Sequence, residues 1–265
     1  SISTVNSTSG LTTAGGLVNV TTTAAGTLTA TGAIATSGGA VTLNSQDALN
    51  VNGGITAGAG SVTLKANQDG AGAQGFSQAD ATTISGTGIA ITVNTAAGTG
   101  TGGAVVSTLT DSGALSITTD NTAHTAGGSI TRTATSALSG TSVSLTTGTG
   151  TIGTGTGANA INLASGQTVT ATTHGGSGDV FLTSAGGMTV GAGGITTGGG
   201  QVNVTTTAAG TLTATGAIAT SGGAVTLNSQ DALNVNGGIT AGAGSVTLKA
   251  NQDGAGAEGF SQSNS

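Results

Sequence analysis

The chain has 265 residues, of which 1% are aromatic and 5% are charged, and it contains 52 glycines but no proline or cysteine. These values exclude an ordinary charged globular surface, disulfide bonds and thiolate metal sites. The net charge is −6, and the basic residues are only Lys65, Arg132 and Lys249, so nucleic acid is not expected as a partner. No apolar run approaches the roughly 20 residues that cross a bilayer, so no transmembrane segment is predicted.

A glycine-rich, polar composition is often disordered, but two features of this chain favour order. Proline is absent, so every residue can donate a backbone hydrogen bond to a β-ladder. Valine, leucine and isoleucine recur at regular positions instead of being scattered. The chain starts at Ser1 without a signal peptide, and we expect it to be an internal or processed fragment of a longer protein.

From the amino-terminal end, short alternating runs recur in coils of 18–23 residues. Each run places an apolar side chain inward and a threonine, serine or asparagine outward, and glycine marks the corners between runs. About three strands per coil are typical of a three-sided solenoid. The predicted core is Val18, Val20, Ile34, Val41, Leu43, Leu49, Val51, Ile55, Val62, Leu64, Val202, Val204, Val225, Leu227, Val246 and Leu248.

The pattern changes after the third coil. Residues 66–80 interrupt the alternation and carry acidic residues and a rare phenylalanine, so they are predicted to form an inserted loop. Residues 80–150 keep the same residue types in a looser register, in which coil boundaries are left open. Residues 250–264 are the corresponding loop near the carboxyl end.

A longer repeat is superimposed on the coils. Residues 18–78 recur as residues 202–262, an offset of 184, and the only difference is that Gln74 becomes Glu258. We therefore expect residues 1–265 to form one continuous solenoid, with about eight coils in each 184-residue period.

The strings IleAlaThrSerGlyGlyAlaValThrLeu at 34–43 and IleThrThrGlyGlyGlyGlnValAsnVal at 195–204 resemble the haemagglutination-type repeats of filamentous haemagglutinin and related large bacterial exoproteins. The resemblance covers most of the chain. It implies an all-β, right-handed parallel β-helix that is exported to the cell surface or the extracellular space and serves as an adhesive stalk or fibre. The characteristic secretion domain of that family is not in this sequence.

Catalytic, metal and cofactor residues are not predicted. The aspartates are far apart in sequence, and we interpret them as solvated corner residues: Asp47, Asp69, Asp80, Asp111, Asp120 and Asp179. His124 and His174 lie in threonine- and glycine-rich surroundings and are interpreted as isolated, solvent-facing residues without carboxylate partners. The periodic aspartate of calcium-binding solenoids is missing, which leaves calcium open only at a loop. A polysaccharide lyase or hydrolase would need clustered acids and bases, so no enzymatic activity is expected.

Other polar residues have structural interpretations. Asn44, Asn50, Asn52 and Asn67 are candidates for amide ladders between coils. Sequons at Asn6, Asn19 and Asn203 would accept glycans only in a suitable secretory host. The Thr-x-Thr pairs Thr27 with Thr29 and Thr211 with Thr213 have the form used to match an ice lattice, but Ala48 and Asn50 follow in the next coil.

The sequence therefore predicts a structural segment of a secreted fibre or surface filament. The alternative is an adhesin stalk that binds cell-surface glycans, and ice binding or polysaccharide chemistry are weaker alternatives. The expected partner is the chain itself, because the open end of a solenoid exposes unpaired backbone groups that another coil can pair.

Overall fold

The computed structural model describes residues 4–5, 10–94 and 97–263. Its strands are parallel and stack in three sheets, which form a β-solenoid of about 10 turns. The only helix among the described residues is a 3₁₀ turn at Gly157–Asn159. The all-β parallel solenoid predicted from the sequence is confirmed.

In chain order the strands are β1 (Thr4–Val5), β2 (Leu11–Thr13), β3 (Val18–Thr21), β4 (Leu28–Ala30), β5 (Ile34–Thr36), β6 (Val41–Asn44), β7 (Leu49–Val51), β8 (Ile55–Thr56), β9 (Val62–Ala66), β10 (Phe76–Gln78), β11 (Thr83–Gly86), β12 (Ile89–Val93), β13 (Ala104–Val106), β14 (Thr108–Asp111) and β15 (Ala114–Thr119). They continue as β16 (Ile130–Arg132), β17 (Leu138–Ser139), β18 (Ser142–Thr147), β19 (Ile161–Leu163), β20 (Gln167–Thr173), β21 (Val180–Ser184), β22 (Met188–Thr197), β23 (Val202–Thr206), β24 (Leu212–Ala214), β25 (Ile218–Thr220), β26 (Val225–Asn228), β27 (Leu233–Val235), β28 (Ile239–Thr240), β29 (Val246–Lys249) and β30 (Phe260–Gln262).

Each face of the solenoid is one sheet. The first face stacks β1, β4, β7, β10, β13 and β16. The second face stacks β2, β5, β8, β11, β14, β17, β19, β21, β23, β26 and β29, and the third stacks β3, β6, β9, β12, β15, β18, β20, β22, β24, β27 and β30. Alternation within strands sends every second side chain inward, as in β9, whose first, third and fifth residues are buried.

The corners explain much of the glycine and threonine content. The Thr197 hydroxyl donates to the Gly200 carbonyl at 2.5 Å, and Thr220 donates to Gly223 at the same distance. Glycine is required where coils stack closely, because a Cβ on Gly223 would lie 2.0 Å from the Gly200 carbonyl oxygen. Corner glycines therefore let adjacent coils stack directly on one another.

Most of the predicted core residues are buried in one continuous apolar stack, whereas Val246 and Leu248 are 47% and 36% exposed. The prediction that these two residues are buried is wrong. Both lie in β29, which pairs with β26 on one side and has no other described strand of its sheet on the other. The inward side chains of β29 are therefore covered by a described strand on one side only.

The middle of the chain follows longer coils than the amino-terminal end. Val41 pairs with Val62 in the following coil, whereas Val62 pairs with Ile89 and Leu115 pairs with Val143. The spacing between paired residues in the middle therefore exceeds the range that the sequence predicted. The sequence left the coil boundaries over residues 80–150 open, and the structure shows that the coils in this region are longer.

The two predicted loops are shorter than the sequence indicated. Within residues 66–80, Phe76–Gln78 forms β10 on the first face, and Phe76 is buried. In the second copy, Phe260–Gln262 likewise forms a strand within the loop predicted over residues 250–264. The phenylalanine therefore marks a strand and not a loop.

The two duplicated segments occupy different faces. In the first copy, Val41 lies on the third face, whereas its counterpart Val225 lies on the second. The change occurs at β21 and β22. Val180 continues the first face through an isolated bridge to Ile152, while the rest of β21 continues the second, and the two halves of β22 pair with β24 and β25 separately.

Candidate metal centre

A column of polar residues and glycine lies at one corner of the solenoid, after the strands of the third face. The register pairs Ala66 with Val93, and it pairs Thr119 with Thr147 and Thr147 with Thr173. The residues that follow these strand ends are therefore stacked, and we call them the corner column. They are Asn67, Asn94, Asp120, Gly148 and His174.

Three side chains converge at this corner. The Nδ1 atom of His124 lies 2.6 Å from Oδ2 of Asp120, and Nδ1 of His174 lies 2.8 Å from the same oxygen. The two imidazole rings are stacked, with centroids 3.6 Å apart and an interplanar angle of 21°. The three ligand atoms all lie within 4.8 Å of one another, a separation that suits a shared metal ion. We call Asp120, His124 and His174 the Asp–His–His cluster.

Glycine at position 148 explains how two residues that are two coils apart can meet. Asp120 and His174 belong to the corner column, and Gly148 lies in the coil between them. A Cβ at Gly148 would lie 2.5 Å from Oδ1 of Asp120 and closer still to the Ala126 carbonyl oxygen. Because the intervening residue has no side chain, the His174 ring reaches past it to Asp120.

The turn that carries His124 is fixed by its own hydrogen bonds. Oδ1 of Asp120 accepts from the Asn121 amide at 2.8 Å, and the Asn121 side chain donates to the Gly98 carbonyl at 2.7 Å and accepts from the Thr125 amide at 3.0 Å. His124 itself has a φ of 58°, a left-handed conformation that is uncommon for residues other than glycine. The cluster is thus held by a defined turn.

The prediction that the two histidines face solvent is confirmed, but the interpretation that they have no carboxylate partner is wrong. The side chain of Asp120 is only 5% exposed, while those of His124 and His174 are 49% and 32% exposed. Across the described ranges, the only ion pairs join these histidines to Asp120, so this buried carboxylate has no lysine or arginine partner. Asp120 lies four residues before His124, a signal that the sequence interpretation missed. His174 is far from both in the chain and reaches the same corner only through the alignment of the coils.

Asp111 also departs from the solvated-corner interpretation. It is buried, and its carboxylate accepts from three backbone amides: Gly88 at 2.7 Å, Ile89 at 2.6 Å and Gly113 at 2.8 Å. Two of these donors belong to the preceding coil. Asp111 therefore joins neighbouring coils where the second face ends, and no sequence pattern indicated this because the donors are backbone groups.

The remaining aspartates lie nearer the surface. Asp80 accepts from the Thr135 amide at 2.9 Å, and this hydrogen bond is the main cause that lowers the pKa of Asp80 below its ordinary value. Asp179 accepts from the Gln201 amide at 2.8 Å in an exposed setting, and Asp69 accepts from the Ala71 amide within its own loop. None of these three belongs to the Asp–His–His cluster.

The asparagine ladder is only partly present. Asn67 donates to Oδ1 of Asn94 at 2.7 Å, and Asn50 lies 3.4 Å from the Thr29 hydroxyl. By contrast, Asn52 is exposed, and Oδ1 of Asn44 is buried without a hydrogen-bond partner. Two of the four asparagines thus bond to the adjacent coil.

The sequon and threonine positions can also be located. Asn19 is exposed and Asn203 is half-buried, whereas Asn6 lies outside the described residues. Thr29 and Thr213 pair with Asn50 and Asn234, so neither Thr-x-Thr pair extends into the following coil. A longer outward row of threonine occurs on the third face instead, where consecutive coils align Thr92, Thr118, Thr146, Thr172 and Thr196.

A shallow groove lies on the first face, beside β7, β10, β13 and β16. Its volume is about 510 Å³, and its lining contains no acidic, basic or histidine side chain. Amide and hydroxyl groups of Asn50, Gln74 and Ser77 line it together with the partly exposed Val105. Gln74 is also the one position at which the two duplicated segments differ.

Comparisons with protein-family models, curated proteins and solved structures returned no match. Within the described part of the chain, no helix has the length and apolar character to cross a membrane. The chain is a parallel β-solenoid built from tandem repeats.

Proposed function

We propose that the chain is a structural repeat segment of a secreted extracellular fibre or surface filament. The observation that carries the proposal is that both duplicated segments stack within one solenoid and repeat the same coil-to-coil pairing. Val41 pairs with Val62 in the first copy, and Val225 pairs with Val246 in the second. A module that pairs with its neighbours in the same way in each copy can be extended along one axis.

The register also defines how such an array would grow. Seven successive pairings on the third face lead from Val18 to Val190, and Val202 follows on the second face. Each 184-residue module therefore advances between seven and eight turns. With coils about 4.8 Å apart, a module spans about 35 Å.

Export to the bacterial cell surface and kinship with filamentous haemagglutinin-like exoproteins are further parts of the proposal. They are supported by the repeated strings at 34–43 and 195–204 and by the solenoid fold, which is the fold that the resemblance implies. The low proportion of charged residues also suits a long fibre whose surface is made of small, neutral side chains.

Electron microscopy of the native material tests the fibre. We expect thin unbranched filaments whose averaged images show an axial periodicity of about 35 Å. Particles that are uniformly monomeric, with both ends of the solenoid covered by other domains, would contradict the filament and leave an adhesin stalk.

An adhesin that binds cell-surface glycans is the second candidate, and the groove on the first face favours it. Its neutral amide and hydroxyl lining offers hydrogen-bond donors and acceptors of the kind that recognise sugar hydroxyls. Glycan-array binding that is lost in Gln74→Ala but kept in Glu258→Ala would support this function. Equal binding by both variants would argue against the groove.

We further propose that the chain is not an enzyme. The Asp–His–His cluster removes one reason for that expectation, since an acid and two bases do meet at one corner. The proposal now depends on where the cluster lies. None of its residues lines the groove on the first face, where a polysaccharide could bind. A screen against acidic and neutral polysaccharides tests it, and turnover that disappears in Asp120→Asn would contradict it.

A further inference from the structure

We infer that the Asp–His–His cluster is a zinc-binding site, in which Oδ2 of Asp120 and the Nδ1 atoms of His124 and His174 bind one Zn²⁺ ion. The inference is independent of the fibre and adhesin functions. It depends on three observations: the convergence of the ligand atoms, the burial of Asp120 without a lysine or arginine partner, and the fixed backbone that presents each ligand.

The ligand set suits zinc better than a hard cation. Two imidazole nitrogens and one carboxylate oxygen match the three-protein-ligand sites of zinc, whereas calcium and magnesium prefer oxygen ligands throughout. Metal bonds of about 2.0–2.1 Å in a tetrahedron place ligand atoms about 3.3 Å apart. To bind one ion, the oxygen–nitrogen distances of 2.6 and 2.8 Å must open slightly. The two stacked rings must also turn so that both Nδ1 atoms point to the same ion.

The surroundings of the three side chains allow these distances to increase. Asp120 is buried, and its second oxygen is held by the Asn121 amide, so it provides a fixed anchor. His124 and His174 are partly exposed at the corner, so their rings can move outward without disturbing the apolar core. The exposed side also leaves a fourth coordination position open to water.

The charge of Asp120 provides a separate reason to expect a bound metal ion. A buried carboxylate is normally paired or bound to a metal, and the described residues place no lysine or arginine beside Asp120. A divalent ion at this corner would supply the positive charge that the buried carboxylate lacks.

The position of the cluster indicates what bound zinc would do. Asp120 follows β15 and His174 follows β20, with the coil of β18 between them. An ion bound to both joins coils that are two steps apart, and it stabilises the folded form by mass action because the unfolded chain does not hold the three ligands together. The cluster lies between the duplicated segments, so each 184-residue module would contain one site.

Isothermal titration of the 265-residue chain with ZnCl₂ tests the inference. We expect one Zn²⁺ per chain, at least a 100-fold loss of affinity in His174→Ala and in Asp120→Asn, and unchanged affinity in the control Asp179→Asn. Asp179 is a corner carboxylate that is more exposed than Asp120, and its side-chain oxygens contact Gln201 instead of a histidine.

His124→Ala is a further variant that removes one ligand and leaves the buried carboxylate in place. Circular dichroism before each titration checks that all variants keep their β-structure. Zinc should also raise the thermal unfolding temperature of the original chain and not that of His174→Ala. Saturable zinc binding that survives in His124→Ala and His174→Ala, or an original chain that binds no zinc, would overturn the site.

Discussion

Phe76 and Phe260 are the same residue in the two copies of the duplicated segment, yet they have different surroundings. Phe76 is 1% exposed because β10 lies between β7 and β13. Phe260 is 49% exposed because β30 pairs with β27 alone among the described strands. If the stacking of coils stabilises this protein, replacement by alanine should lower the free energy of unfolding by different amounts at the two positions.

Phe76→Ala removes a fully buried ring and leaves a cavity between two coils, which costs about 3–5 kcal/mol of unfolding free energy. At Phe260 about half of the ring is already in water, and the vacated space opens to solvent instead of forming a closed cavity. The contribution from transferring the ring out of water is then roughly halved, and no closed cavity adds to it. The expected loss of unfolding free energy is therefore about 1–2 kcal/mol.

Urea unfolding followed by far-ultraviolet circular dichroism measures the two costs, and hydrogen exchange locates them. Terminal coils of a solenoid open more readily than internal ones, so exchange should change locally around β30 for Phe260→Ala and across several coils for Phe76→Ala. The measurement is made at a concentration at which the chain is monomeric, because an added coil from a second chain would cover Phe260. Equal destabilisation by the two variants would refute the reasoning.

Three further predictions concern the core and the aspartates. Leu43→Asp should prevent folding or reduce expression of soluble protein, since it places an unpaired charge in the apolar stack, and circular dichroism checks this. Asp111→Ala leaves the buried Ile89 amide and two partly buried glycine amides unpaired, and it should cost about 2–4 kcal/mol of unfolding free energy in urea, against less than about 1 kcal/mol for Asp179→Ala. The lowered pKa of Asp80, caused mainly by the Thr135 amide, contributes stability above the ordinary aspartate value that is lost as the pH falls through the lowered one. Asp80→Asn should therefore flatten the acidic end of the stability profile, and an unchanged profile would contradict that assignment.

Much of the fold could be predicted because every coil follows the same local pattern, in which inward apolar and outward polar residues alternate. Alternation placed Val41 and Leu43 inward, and the structure buries both because each has a coil above and below. The same rule failed at Val246, since alternation reports which way a side chain points and not whether a neighbouring coil covers it. Burial at that position depends on the stack and not on the local sequence.

The candidate site could not be predicted for a related reason. Joining Asp120 to His174 requires the lengths of two successive coils, and both coils are longer than those at the amino-terminal end, in a region where the sequence left the register open. The coil between them must also carry glycine at that corner, and glycine is so common in this chain that Gly148 was not distinctive. Only the alignment of strands brings the three residues together.

The shift of the second copy to a different face has a consequence for how such a gene can change in length. Residues that face inward on the third face in one copy face inward on the second face in the other, so at least two of the three sides accept the same sequence. A duplication or deletion then need not comprise a whole number of turns to preserve the core. Recombination between repeats would then lengthen or shorten the protein by whole 184-residue modules, although a module is not a whole number of turns.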